Sequence, residues 1–179
     1  MIQAISQLLE DSIHSDLAGA ELPQLREMRT QLQGAETDLS LVRRLTQGRM
    51  DIVGHEVANR ENREAATEVD TTEVLFELPD ILADAPAASR SGRLTINEPG
   101  PVAHELISKL DTLISASQLS SIGDASEQEL NEHLASLKSF EEDLSGGRRE
   151  LHEKIDGIQR EIGGRYASGA ATTEDAFRK

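Results

Sequence analysis

The stretch ETDLSLVRRLTQGRMD, from Glu36 to Asp51, decides how the rest of the chain is arranged. Five polar side chains recur in it at offsets of 0, 4, 7, 11 and 15 residues: Glu36, Ser40, Arg43, Gln47 and Asp51. On an α-helix that turns about 100° per residue, these side chains fall within about 80° of one another. The stretch therefore predicts a polar stripe, roughly 22 Å long, on one helix face.

The same pattern returns 105 residues later, in EEDLSGGRRELHEKID, and only the fourth residue differs in type. The corresponding side chains are Glu141, Ser145, Arg148, His152 and Asp156. Seven of the 16 aligned positions are identical. About one match is expected at ordinary residue frequencies of roughly 6%, so the chain contains an internal repeat. We call the two sets of five residues stripe 1 and stripe 2.

Composition limits the classes of protein that the chain can form. At 179 residues there is room for a single domain, residues 1–179, and 37% hydrophobic content is low for a thick core. Aromatic residues make up only 2%, so the core must be built from aliphatic side chains, as in paired helices. The absence of Cys excludes disulfides and thiolate metal sites.

Charge and hydropathy bear on partners and location. The net charge of −15 argues against direct binding of DNA or RNA, and it favours a partner with a basic surface. No apolar run approaches the roughly 20 residues that span a bilayer, and residues 1–9 lack the pattern of a signal peptide. These features predict a cytoplasmic protein that does not enter a membrane.

The residues around stripe 1 predict a long helix over about residues 23–65, with Pro23 in its first turn. Apolar residues recur in it in steps of three and four, as in a coiled-coil seam, with a polar gap around Arg49. Gly34 and Gly48 each weaken this helix by about 1 kcal/mol relative to Ala, so another factor should favour small residues there. The predicted seam residues are Leu25, Met28, Leu32, Ala35, Leu39, Val42, Thr46 and Val53.

A second long helix is predicted over about residues 127–163. Ser126 and Glu129 have the spacing of a capping box at its start, and the pair Gly163-Gly164 marks its end. Two seams of similar spacing predict that the two helices pair as a coiled coil, and an antiparallel pairing is assumed for the alignment below. The second seam consists of Leu130, Leu137, Leu144, Leu151 and Ile158, joined by Leu134, Ile155 and Ile162.

The remaining segments are shorter or less regular. Residues 2–13 and 101–116 predict short accessory helices, the first of which either packs on the main body or binds a partner. Residues 66–100 predict a long, partly disordered connection, in which Val74–Leu82 is a strand, a helical turn or a docking segment. The C-terminal tail, residues 165–179, is predicted to be disordered. The predicted fold class is therefore all-α.

The long helices can be aligned by placing the stripe centres side by side. Residue i then lies opposite residue 192 − i, so Glu36 faces Asp156 and Asp51 faces Glu141. The end of the first helix falls opposite the start of the second, which supports this alignment. Each stripe follows its own seam by one residue. The stripes are therefore predicted to border one groove and to be related by a local twofold axis.

Each stripe offers a guanidinium, two carboxylates, a hydroxyl, and an amide or imidazole. An Arg can donate two parallel hydrogen bonds to guanine O6 and N7, and carboxylates can accept from the ring N–H and amino group of guanine. Ser can reach a phosphate oxygen, while Gly146 and Gly147 leave room beside Arg148 for a flat group. Two stripes related by a twofold axis suit a guanine ligand that has its own twofold axis.

At these residues the sequence strongly resembles the RsiG family of anti-sigma factors, whose signature E-x3-S-x2-R-x3-Q-x3-D is repeated on the two helices of an antiparallel coiled coil. Stripe 1 matches at all five positions and stripe 2 at four, with His152 in place of Gln. The resemblance covers residues 23–65 and 126–162. It implies that all ten stripe residues bind cyclic di-GMP, taken up as stacked nucleotides. It further implies nucleotide-dependent sequestration of the sporulation sigma factor WhiG.

Other interpretations of these residues stay open. A charged stripe beside a seam is commonly a solvated face, and the chain would then be a structural coiled-coil adaptor or dimerisation module without a ligand. The pair Gly146-Gly147 would then be a helix kink. Arg44 and Arg149 also repeat, but they lie at the stripe edge and are interpreted as solvated or helix-pairing charges.

Metal binding and catalysis are not expected. Glu129 and His133, four residues apart, could chelate a metal, but no third ligand stands out, and exposed helix surface is the expected role. No nucleophile with its base and no phosphate-binding glycine loop is apparent in the sequence. The chain is therefore not predicted to be an enzyme.

Overall fold

The computed structural model describes residues 17–66 and 98–169, and every regular element within them is helical. The two long helices are α1, Leu22–Ala66, and α4, Glu127–Ala167. The elements between them are α2, Pro101–Leu113, then α3, Ala116–Ser120, and a 3-10 turn, Ile122–Asp124. Helices α1 and α4 pack against each other, which confirms the predicted all-α, antiparallel two-helix arrangement.

Several predicted features lie outside the described residues. They are the helix over residues 2–13, most of the connection with its apolar segment Val74–Leu82, and the tail beyond residue 169.

The core follows the predicted seams. Every predicted seam residue is buried except Met28, Leu134 and Ile155, which are partly buried. Thr46 fits this apolar seam because its hydroxyl donates to the Val42 carbonyl at 2.9 Å, so the buried donor is satisfied within its own helix. The heptad spacing thus identifies the residues that hold α1 and α4 together.

Helix α2 packs on the coiled coil through one apolar face. Ala103, Leu106, Leu110 and the residue that follows the helix, Ile114, are fully buried. Pro101 occupies the first turn, where an N–H would have no partner within the helix. Helix α2 thereby covers one flank of the seam.

Side chains of α1 hold both ends of α2. At the N-terminus the Asp38 carboxylate accepts from the backbone N–H groups of Gly100 at 2.9 Å and Ala103 at 3.1 Å. A Cβ on Gly100 would lie 2.8 Å from Asp38 Oδ1, so this close approach needs glycine. At the C-terminus Arg49 donates to the Leu110 carbonyl at 3.1 Å. Arg49, which interrupts the apolar seam of α1, therefore caps the C-terminus of α2.

The end of α4 differs from the prediction. The helix continues through the pair Gly163-Gly164 to Ala167. Tertiary contacts hold the added turn, since Arg165 donates to the Ala20 carbonyl at 2.6 Å and the Tyr166 hydroxyl accepts from α1. These contacts offset the low helix propensity of glycine, and the first residues of the predicted disordered tail are helical.

The predicted helix over residues 101–116 is also wrong at its end, because α2 stops at Leu113. Ser115 begins α3 instead, since its side chain and that of Gln118 form a capping box. The capping box predicted for Ser126 and Glu129 is present at the start of α4.

Candidate functional site

The two stripes meet across the groove between α1 and α4, and their charged residues interlock. Arg43 of stripe 1 donates through Nε to Glu141 of stripe 2 at 2.8 Å. Arg148 of stripe 2 donates through Nε to Glu36 of stripe 1, also at 2.8 Å. The two ion pairs are equivalent, because Arg43 corresponds to Arg148 in the repeat and Glu36 corresponds to Glu141. In both pairs Nε of the arginine contacts Oε1 of the glutamate, so the local twofold symmetry extends to these atoms.

Half-site A consists of Arg43 and Gln47 from α1 with Glu141 and Ser145 from α4. Besides Arg43 Nε, Glu141 Oε1 accepts from Ser145 Oγ at 3.0 Å and from Gln47 Nε2 at 3.2 Å. Arg43 Nε also donates to Ser145 Oγ at 2.9 Å. A single carboxylate oxygen thus orients a guanidinium, a hydroxyl and an amide.

Half-site B is the symmetric cluster of Arg148 and His152 from α4 with Glu36 and Ser40 from α1. Besides Arg148 Nε, Glu36 Oε1 accepts from Ser40 Oγ at 2.9 Å. His152 Nε2 lies 3.4 Å from the same oxygen, in the position that Gln47 Nε2 takes in half-site A. Replacement of Gln by His in the second copy therefore keeps the polar contact with the carboxylate.

The carboxylate of half-site B is held in its ionised form. Partial burial raises the pKa of Glu36, but hydrogen bonds from Arg148 and Ser40 and the charges of His152 and Arg148 outweigh burial. The net pKa therefore lies below its ordinary value of 4.5. Half-site B presents a fixed negative charge beside one permanent cation and one imidazole.

Both stripe arginines keep donors available. Within the described residues, Arg43 and Arg148 donate only through Nε, and their terminal nitrogens have no partner there. The two side chains are 32% and 39% exposed. Each guanidinium is thus oriented by a carboxylate while its two terminal nitrogens remain free to donate to a ligand.

Asp51 and Asp156 lie at the outer ends of the stripes. Both are exposed, and neither carboxylate has a hydrogen bond or ion pair among residues 17–66 and 98–169. The prediction that Glu36 faces Asp156 is wrong. Glu36 pairs instead with Arg148, about two helical turns earlier in α4. Likewise, Glu141 does not face Asp51 but pairs with Arg43, about two helical turns earlier in α1. Opposite charges attract, whereas carboxylates placed directly opposite each other would repel.

Glycines of both long helices leave open space. A Cβ at Gly146 would meet nothing within 4 Å, and the neighbouring Gly147 is buried. The space beside Arg148 allows a flat group to approach α4. A Cβ at Gly34 or Gly48 would also meet nothing within 4 Å, so no packing contact among the described residues requires glycine there.

Sequence reasoning misses the residues that position the accessory elements. Asp38 and Arg49 cap α2, and Arg60 donates to the carbonyls of Gly123 at 3.0 Å and Ala125 at 2.7 Å, which fastens the turn before α4. Both arginines also form ion pairs, Arg49 with Asp111 and Arg60 with Glu56, but the backbone carbonyls that they cap leave no pattern in the sequence. The one available signal was the polar interruption of the seam at Arg49.

Glu129 and His133 both cap helix ends. The backbone N–H of Ser126 donates to Glu129 at 2.6 Å, and this hydrogen bond is the main cause of the lowered pKa of Glu129. His133 Nδ1 lies 3.0 Å from the Leu113 carbonyl at the end of α2. In the part of the chain that the structure describes, no three potential metal ligands are gathered together.

Fold and site together define a class of protein: a two-helix coiled coil with a duplicated, symmetric polar cluster on one flank of its seam. The chain matches a protein-family model described as RsiG-like over residues 11–82 and 116–178, which contain both stripes. These regions exceed half of the chain, and the chain belongs to the RsiG-like family.

Membership of this family supports an anti-sigma factor role in the broad sense, with a sigma factor as partner. No curated protein matches the chain. Among the described helices, none is long and apolar enough to cross a membrane.

Proposed function

We propose that the chain is an anti-sigma factor that binds cyclic di-GMP through half-sites A and B and sequesters a sporulation sigma factor of the WhiG type in a nucleotide-dependent way. The reciprocal ion pairs, Arg43 with Glu141 and Arg148 with Glu36, carry this proposal. They bring one Arg from each repeat copy into a single symmetric cluster. A ligand with two guanines and two phosphates related by a twofold axis matches the number and symmetry of these groups.

The free groups of the site suit the functional groups of the nucleotide. The terminal nitrogens of Arg43 and Arg148 can donate to guanine O6 and N7. Asp51 and Asp156, which have no partner in the described part of the chain, can accept from the ring N–H and amino group. The cluster therefore offers donors and acceptors for two guanines at once.

The arginines are oriented before any ligand arrives. Glu141 and Glu36 hold Arg43 and Arg148 through Nε, which restricts the rotamers of two long side chains. Immobilising a flexible side chain on binding costs about 0.5–1.5 kcal/mol, and part of this cost is already met in the free protein. Preorganisation of this kind favours affinity for a ligand that uses both half-sites.

The nucleotide would act as a gate for the sigma factor. A ligand in the groove would present its outer faces and phosphates as part of the surface that the partner meets. Binding linkage then requires that nucleotide and sigma factor raise each other's affinity by the same factor, typically about 5- to 150-fold. The net charge of −15 favours a basic partner surface, and we expect the complex to form in the cytoplasm without a catalytic step.

Calorimetry of the full chain with cyclic di-GMP, alone and with the sigma factor, tests this proposal. We expect micromolar or tighter binding, and a sigma factor affinity that rises with nucleotide. Asp51→Ala and Asp156→Ala should weaken sigma factor binding only when nucleotide is present. Asp143→Ala, an exposed acidic residue outside both stripes, is the matched control and should have no effect. The absence of heat in both titrations would exclude the proposal.

The alternative function is a structural coiled-coil adaptor or dimerisation module in which the stripes only align the helices. The interhelical ion pairs favour it, since they join α1 to α4 without a ligand. Partly exposed pairs of this kind contribute no more than about 1 kcal/mol each. Under the adaptor hypothesis, Arg43→Ala and Arg148→Ala would lower stability slightly, and cyclic di-GMP would not stabilise the wild-type chain against unfolding.

A further inference from the structure

The half-sites differ at one position, and the two residues found there occupy equivalent places. Gln47 Nε2 is 3.2 Å from Glu141 Oε1, and His152 Nε2 is 3.4 Å from Glu36 Oε1. Both contacts bridge the two long helices. His152 is 49% exposed, so the ring can meet a ligand and exchange protons with water.

The amide and the imidazole differ in what they offer on the side away from the carboxylate. Gln47 donates through Nε2 and keeps its carbonyl oxygen as an acceptor at every pH. A neutral His152 that donates through Nε2 has an acceptor at Nδ1, whereas the protonated ring has donors at both nitrogens and a positive charge. Histidine is the side chain that commonly gains or loses a proton within the physiological pH range.

The charged groups around His152 come from both long helices. Helix α1 contributes Glu36, which stays ionised because its pKa is lowered. Helix α4 contributes Arg148 and Asp156 one turn to either side, with Arg149 and Glu153 nearer along the chain. Helix α2 meets α4 at His133, far along the chain from this position. Among the described residues, the corresponding part of half-site A holds the Gln47 amide in place of an imidazole.

We propose that His152 is a specificity-determining residue of half-site B, which in its protonated form donates to the nucleotide and makes nucleotide binding stronger at acidic pH. This inference rests on the proposed nucleotide site. The ligand carries two phosphates, and most of its remaining polar atoms are acceptors, so a second donor and a positive charge both favour binding. Half-site A binds in the same way at all pH values, and half-site B responds to acid.

The dissociation constant of cyclic di-GMP, measured by calorimetry with the full chain at pH 5.5 and pH 7.5 and constant ionic strength, tests this inference. The sigma factor is included if nucleotide binding requires it. For the wild type we expect binding to be about three- to tenfold tighter at pH 5.5, since a change of one unit in a pKa on binding corresponds to tenfold in affinity. His152→Gln should remove this ratio. His55→Gln, an exposed histidine of α1 outside the stripes, should retain it.

The repeat supplies a second set of variants that keeps the test independent of any loss of folding. Gln47→His should increase the ratio of affinities, and the double variant Gln47→His with His152→Gln should restore a single titrating half-site and a ratio close to that of the wild type. Circular dichroism verifies that the helices are intact. Equal ratios in the wild type and His152→Gln, or weaker wild-type binding at pH 5.5, would overturn the inference alone. Absence of binding at both pH values would overturn the proposed function, and the inference with it.

Discussion

The two flanks of the coiled-coil seam use the internal repeat in different ways. On one flank the ion pair from Arg43 has its counterpart in the ion pair from Arg148. On the other flank Asp38 is 8% exposed and caps α2, whereas its repeat counterpart Asp143 is exposed and has no partner among the described residues. Identical residues in a repeat therefore have equal roles only where their surroundings are also equal.

Helix geometry separates these flanks. Asp38 and Ser40 lie about 100° to either side of Leu39 on α1, so one points to α2 and the other to the groove. Among the described residues helix α2 has no symmetric counterpart, and it breaks the twofold symmetry on its own flank. A symmetric polar cluster can therefore persist inside a single asymmetric chain.

The largest effect is expected from variants that break the symmetry of the groove. Arg43→Ala and Arg148→Ala should each cost about 1–3 kcal/mol of cyclic di-GMP binding, measured by calorimetry, because each removes a proposed bidentate donor to guanine. The losses should be similar if the half-sites are equivalent. Lysine should not rescue either position, since it lacks the planar fork.

Arg149→Ala is the control for these variants, because Arg149 repeats but is exposed outside the stripe. Full nucleotide binding by Arg148→Ala would remove stripe 2 from the site and end the comparison between equivalent half-sites.

A smaller effect is expected on the other flank, where Asp38 and its repeat counterpart Asp143 differ in their contacts. Asp38→Ala leaves two backbone N–H groups at the start of α2 without their acceptor and should lower the free energy of unfolding by about 1–2 kcal/mol. Asp143→Ala should change it by less than about 0.5 kcal/mol, as is usual for an exposed position. Urea unfolding followed by circular dichroism measures both. Similar losses in the two variants would mean that the flanks are alike after all.

The smallest effect concerns the pH dependence of the groove. Since the pKa of Glu36 is lowered in the folded chain, its ion pair stabilises the fold above the ordinary value of 4.5 and is lost as the pH falls through the folded value. The difference in unfolding free energy between the wild type and Glu36→Gln should be at most about 1 kcal/mol near neutral pH, because the pair is partly exposed. It should shrink towards zero in acid. A difference that is constant with pH would show that the carboxylate charge does not matter.

Much of the architecture was predictable because helices convert spacing into direction. Residues such as Leu32 and Leu39, one heptad apart, must lie on one face, and both are buried in the seam. The same rule placed both stripes on the same side of the seam. The start of α4 was predictable from Ser126 and Glu129, because a capping box is made entirely by neighbouring residues.

The end of α4 and the partners of the stripe carboxylates were not predictable in this way. The turn after Gly163-Gly164 exists because Arg165 reaches the Ala20 carbonyl, 145 residues earlier in the chain. The prediction that Glu36 faces Asp156 assumed that the stripe centres align, whereas the side chains select partners by charge and reach.

The sequence by itself determined the two helices, the seam between them and the two polar stripes, because each of these follows from local backbone geometry and the spacing of side chains. Only the tertiary structure decided that Glu36 holds Arg148, that His152 takes the place of Gln47, and that Asp38 caps α2 while Asp143 does not. These outcomes depend on contacts between residues that are far apart in the chain. Charge, reach and the position of α2 select such contacts, and none of the three produces a periodic signal in the sequence.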